Sequence, residues 1–170
     1  MRRLWHALPG GSPHTIVSQM YNLLKFLHVL SIVAWVGGLF FAVGLLYPAL
    51  RPLAEQERVA SLARVMQRFL PAVAIAALLA LLSGLGMIGM VSFHADGGFR
   101  MPLAWTLMST LGLVMMALLV YQYFGLFDRL EQRAAAGDWA AAASVLARLR
   151  TGLAITLALG VATVAVVFLA

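Results

Sequence analysis

The stretch KFLHVLSIVAWVGGLFFAVGLLYPAL, residues 25–50, decides the fold class: after His28 it carries no charged side chain. About 20 apolar residues, at roughly 1.5 Å each, carry a helix across the hydrocarbon core of a bilayer. The first span is placed at 23–46. Three further segments qualify, at 69–91, 103–124 and 151–170, and the second and fourth hold no charge at all. Pro71 falls in the expected opening turn of span two, where a missing N–H does no harm, and Pro102 leads into span three. The whole chain is 63% hydrophobic and 11% charged, against roughly 45–50% and about 25% in soluble domains. That excess points to an all-α integral membrane protein. The expected form is a four-transmembrane-helix bundle, one domain over residues 1–170, with short amphipathic helices in the cytoplasmic loops.

The net charge of +6 sits in short loops with no basic face interleaved with aromatics, so nucleic acid is not an expected partner. Cysteine is absent, which excludes disulfides, thiolate metal sites and cysteine nucleophiles. Residues 1–20 contain Arg2 and Arg3 but no apolar h-region, so no cleavable signal peptide is expected.

Charge also orients the bundle. Arg51, Arg58, Arg64, Arg68, Arg129, Arg133, Arg148 and Arg150 lie in the two longer loops, against Arg2, Arg3, Lys25 and Arg100 on the other side. Both termini and the 92–102 loop are therefore expected outside, in the periplasm if the membrane is a bacterial inner membrane. In the first cytoplasmic loop, Val59, Leu62, Val65, Met66 and Phe69 recur at helical spacing opposite Arg58, Arg64 and Arg68. This reads as an amphipathic surface helix; Arg64 and Arg68, four residues apart, offer a lesser alternative as a site for an anionic headgroup or propionate. DRLEQRAAAGDWAAAASVLARLR continues span three to Ala136, stops at Gly137, and restarts from an Asp138 N-cap.

In this orientation all four histidines fall on the outer half: His6 and His14 in the N-terminal arm, His28 in span one, and His94 beside Asp96 in the outer loop. His28 lies about 9 Å below the outer start of its span. Met87 and Met108 lie at a similar depth in spans two and three. Lys25, His28, Ile32, Trp35 and Leu39 succeed one another at three- and four-residue steps and share one face. An ionisable group at such depth is expensive and usually functional. His28 is thus either a ligand or proton-handling group, or a structural histidine bonded to Ser31 or a backbone carbonyl. Lys25 either belongs to the same site or snorkels to the headgroups. Gly37, Gly38, Gly84, Gly86, Gly89 and Gly112 read as small residues for close helix packing. No Ser-His-Asp set and no paired carboxylates lie at membrane depth, which argues against hydrolase chemistry.

KFLHVLSIVAWVGGLFFAVGLLYP resembles the opening span of the copper resistance protein D (CopD) family and of the related HemJ-type membrane proteins. RVMQRFLPAVAIAALLALLSGLGM resembles the entry to span two in HemJ-type proteins. The first likeness implies a multipass inner-membrane protein handling copper, in uptake or resistance. The second implies a b-type haem held by His28; the span-three lysine of that group is missing here, so protoporphyrinogen oxidation is not expected. Three functions are compatible with these residues. Copper(I) suits soft thioether and imidazole donors, supplied by His28, Met87 and Met108, with His94 as an outer capture group and a periplasmic copper carrier as partner. Haem b would use His28 as axial ligand, with Lys25 and Trp35 beside it, and a quinone as redox partner. A structural or assembly subunit would hold no ligand. Membrane lipid is a partner in every case, and a homo-dimer is compatible with all three.

Overall fold

The structure, a computed structural model, describes residues 13–93, 98 and 100–169. His6, His94, Asp96 and the side chain of His14 lie outside the described residues, and the expected outer capture group lies outside with them.

Four helical rods account for nearly everything described. The first is α1 (Pro13–Phe40), which passes through a π-helical stretch (Phe41–Leu46) into the short α2 (Tyr47–Ala49). The second is α3 (Glu55–Phe93), 39 residues long. The third is α4 (Leu103–Val120), which passes through a second π-helical stretch (Tyr121–Phe127) into α5 (Asp128–Ala135). The fourth is α6 (Trp139–Leu169). All four rods are long and apolar enough to cross a membrane, and no strand occurs among the described residues. The 50–54 and 136–138 connections define an arginine-rich end of the bundle; His28 lies toward the opposite end.

The stop between α5 and α6 arises from local chemistry. Gly137 takes φ +72°, a left-handed conformation that costs glycine little. Asp138 then caps the next helix, its Oδ1 accepting from the Ala141 N–H at 3.1 Å.

Each rod exceeds its apolar run. The amphipathic segments exist, as direct extensions of the spans rather than separate pieces. Val59, Leu62, Met66 and Leu70 form the buried stripe of early α3, while Val65 is exposed. Pro71 consequently sits well inside α3 and not in an opening turn. The hydrophobic boundary marks where lipid begins, and the backbone continues its helix through it because the stripe on either side packs against the same neighbours.

α1 packs chiefly against α3, and α4 against α6; α6 also touches α1 and α3. Leu39, Leu62, Met66, Leu70, Leu149 and Leu153 are fully buried between the rods. Phe26, Phe40, Leu82, Leu113 and Phe124 point outward and are more than half exposed. A surface this apolar suits acyl chains and not water. The tightest glycine contact among the described residues lies at Gly160, where a Cβ would stand 2.9 Å from Val36 Cγ2 and 3.2 Å from Met115 Cε. Gly37, Gly89 and Gly112 face open space; the packing role expected for them falls instead to Gly38, Gly84 and Gly86 on the α1–α3 contact, and to Gly152 and Gly160 of α6.

A buried polar pair joins the third and fourth rods. Gln122 Nε2 donates to Thr156 Oγ1 at 2.9 Å, and Thr156 Oγ1 donates to the Gly152 carbonyl at 3.0 Å. Inter-helix hydrogen bonds of this kind contribute about 0.6 kcal/mol on average and at most about 1.7. Thr156→Val is expected to lower stability by about 1 kcal/mol in reversible SDS unfolding; an unchanged midpoint would mean that the pair contributes nothing.

Candidate metal site around His28

α3 holds His28 in place. The ring Nδ1 lies 2.8 Å from the Ala80 carbonyl oxygen and 3.3 Å from Ser83 Oγ. A carbonyl only accepts, so Nδ1 carries the proton. The Ser83 hydroxyl is itself directed at the Leu79 and Ala80 carbonyls of its own helix, which leaves its oxygen free to accept a share of the Nδ1–H. The imidazole comes this near because residue 84 is glycine: a Cβ there would stand 3.1 Å from Cε1 and 3.3 Å from Nδ1.

In the neutral ring, a proton on Nδ1 leaves Nε2 as a lone-pair donor. It is also buried, with no hydrogen-bond partner among the described residues. A buried acceptor without a partner is costly. It is also the state in which a metal-binding imidazole is normally found, its second nitrogen fixed by a backbone carbonyl. The ring turns to α3 and not to the lipid face, and its partner is the carbonyl of Ala80, not Ser31.

The candidate thioether donors differ in depth. Val36 and Met115 meet at Gly160, which places them at one level. His28 is eight residues back along α1 from Val36, and Met108 is seven back along α4 from Met115, so the two lie at about the same level, on rods that make no substantial direct contact. Met108 also repeats the inward face of Met115, which is 3% exposed. Met87 shares the α3 face of Ala80 but lies one turn nearer the rod's end, since its neighbour Gly86 packs on Leu24 and not on His28. Both methionines are half-buried, and neither sulfur is hydrogen-bonded to the ring.

The stripe expected on α1 grades from outside to inside. Lys25 is exposed, His28 and Ile32 are half-buried, and Trp35 and Leu39 are buried at 5% and 0%. Lys25 therefore stands at the rim, where its ammonium can reach headgroups. Trp35 lies two turns deeper than His28, and its indole N–H is buried without a partner among the described residues. Among the described residues no three His, Cys, Asp or Glu converge. An ion on Nε2 would thus be completed by soft sulfur or by the solvent it brings.

One family model, described as Copper resistance protein D, matches residues 63–170. No curated protein and no solved structure matches the chain. The matched residues include Ala80, Ser83, Gly84, Met87 and Met108; the helix that carries His28 precedes them.

Proposed function

We propose, from the premise that this chain belongs to the copper resistance protein D family, that the bundle takes up copper(I) on His28 Nε2 within a multi-pass membrane protein. The copper is cargo, not a resident cofactor. The observation that carries this reading is the buried Nε2, without a partner among the described residues, on a ring whose Nδ1 is held at the Ala80 carbonyl. Copper(I) favours imidazole and thioether donors. Met108, level with His28 on an inward face, and Met87, one turn above on α3, are the thioethers nearest in depth. The excess of arginine at the opposite end supports an orientation with His28 toward the periplasm of a bacterial inner membrane, where a soluble copper carrier would deliver the ion.

Packing favours an ion over a macrocycle at this nitrogen. Haem would need a flat slot opening at Nε2, yet Nε2 has almost no accessible surface, so α1 would have to leave its neighbours. A single ion displaces far less packing than a macrocycle does.

The test is direct. Protein purified in detergent and loaded with copper(I) under reducing conditions is expected to retain copper after desalting and to show no Soret band. Met108→Leu, which conserves volume, is expected to weaken copper(I) affinity about tenfold, or about 1.4 kcal/mol. A Soret band in the freshly purified protein, or no retained copper, would refute the proposal.

A further inference from the structure

At the arginine-rich end, far from His28, the first turns of α3 and the second and third turns of α6 flank a half-open cavity of about 300 Å³ beside the last turn of the first rod. Three guanidinium-bearing side chains line it: Arg51 from the 50–54 connection, Arg58 from α3 and Arg150 from α6. Leu62 and Leu146 form its apolar wall, and Tyr47 closes one side.

The charge in this cavity is not balanced by the protein. Arg58 reaches Glu55 only at 3.9 Å, in a partly exposed pair. Arg51 and Arg150 have no carboxylate partner among the described residues. Arg150 instead lies over the Tyr47 ring, 5.9 Å from its centroid, within reach of a cation–π contact. The Tyr47 hydroxyl, on a residue only 6% exposed, has no hydrogen-bond partner among the described residues. Like charges gathered over a shared cavity repel, and an anion between them relieves that repulsion. Every cation at this end is arginine rather than lysine, and arginine recognises phosphate oxygens with paired N–H groups.

We infer that this cavity binds the phosphate headgroup of an anionic phospholipid, with Arg51, Arg58 and Arg150 around the phosphate and the Leu62–Leu146 wall against the start of the acyl chains. The volume is at the lower limit of small-molecule sites, about 300 Å³, and so suits a headgroup rather than a whole lipid. The apolar wall and the position at the end of three lipid-crossing rods favour a lipid over a free anion. Arg64 and Arg68, the pair whose spacing suggested a headgroup site, are exposed and do not line this cavity.

The full chain in detergent is offered phosphatidylglycerol, phosphatidylcholine or inorganic phosphate, and bound lipid is read by native mass spectrometry alongside the thermal midpoint. Phosphatidylglycerol is expected to be retained and to raise the midpoint, and phosphatidylcholine to do neither. Each guanidinium near a lipid surface contributes about fivefold, so Arg51→Gln is expected to reduce phosphatidylglycerol retention about fivefold and Arg51→Gln/Arg150→Gln by more than about tenfold. Arg129→Gln, on α5 and outside the cavity, serves as the control and is expected to change nothing. If the double variant does not fold, the single exposed Arg51→Gln decides. Equal retention of the two lipids, or wild-type retention in Arg51→Gln, would overturn the inference. A midpoint shift reproduced in full by inorganic phosphate would assign the site to a free anion and overturn the lipid source.

Discussion

His28→Ala is expected to abolish measurable copper(I) binding while leaving the bundle folded. The two effects separate because His28 is the dependent partner in its hydrogen bonds. Without the ring, the Ala80 carbonyl remains part of the α3 helix, and Ser83 still donates to the Leu79 and Ala80 carbonyls. No buried donor is left orphaned on α3; the loss is the packing of one half-buried ring, about 1–2 kcal/mol by comparison with larger core truncations. The imidazole nitrogen, in contrast, has no counterpart at that depth: no other histidine side chain lies among the described residues. Competition with a colorimetric copper(I) chelator should show affinity falling by at least about 100-fold, some 2.7 kcal/mol. His28→Asn refines the result: an amide N–H can return to Ala80, so it should recover stability without recovering copper. Wild-type affinity in either variant would place the ion elsewhere.

Gly160→Leu is expected to destabilise the bundle severely. The first added carbon alone would stand 2.9 Å from Val36 Cγ2 and 3.2 Å from Met115 Cε. Met115 can rotate aside. Val36 is β-branched and its χ1 is nearly fixed in a helix, so relief requires α1 to move away from α6. Overpacking of this kind typically costs about 1–3 kcal/mol, sometimes more, and a leucine should reach at least the upper figure. SDS unfolding should show a large midpoint loss, and gel filtration a broadened peak. The mechanism predicts coupling: Val36→Ala should restore part of the loss in Gly160→Ala, because the clashing atom is gone. Strict additivity of those two changes would mean that α1 and α6 do not meet at this glycine.

How far the sequence reached can be judged from particular residues. The spans were legible because an uninterrupted apolar run of 20 or more residues is the length that a bilayer demands of a helix. The Gly137 stop and the Asp138 cap were legible because each acts on its own backbone. Likewise, the shared face of His28, Trp35 and Leu39 was given by helical spacing. Features that depend on partners distant in the chain lay beyond reach. The acceptor for His28 is a main-chain carbonyl, and a carbonyl leaves no mark in residue type. Gly160 packs tightly and Gly112 faces open space, yet both are single glycines in apolar runs; only the neighbouring rod distinguishes them. Arg58 and Arg150 share a cavity only because α3 and α6 pack side by side there, which no local pattern encodes. The two π-helical stretches were invisible for a related reason, since one extra residue in a turn is accommodated by packing and not by composition. Pro71 misled about where α3 begins because proline is tolerated within a membrane helix when its neighbours compensate.

The central claim is tested most directly by nitrogen NMR of the protein carrying 15N-labelled histidine, with His28 assigned by comparison with His28→Asn. Without metal, the His28 ring should give one protonated and one unprotonated nitrogen, with the proton on Nδ1, and copper(I) should shift the unprotonated Nε2 resonance. A ring protonated at Nε2, or an Nε2 signal that does not move when copper(I) is added, would contradict the account.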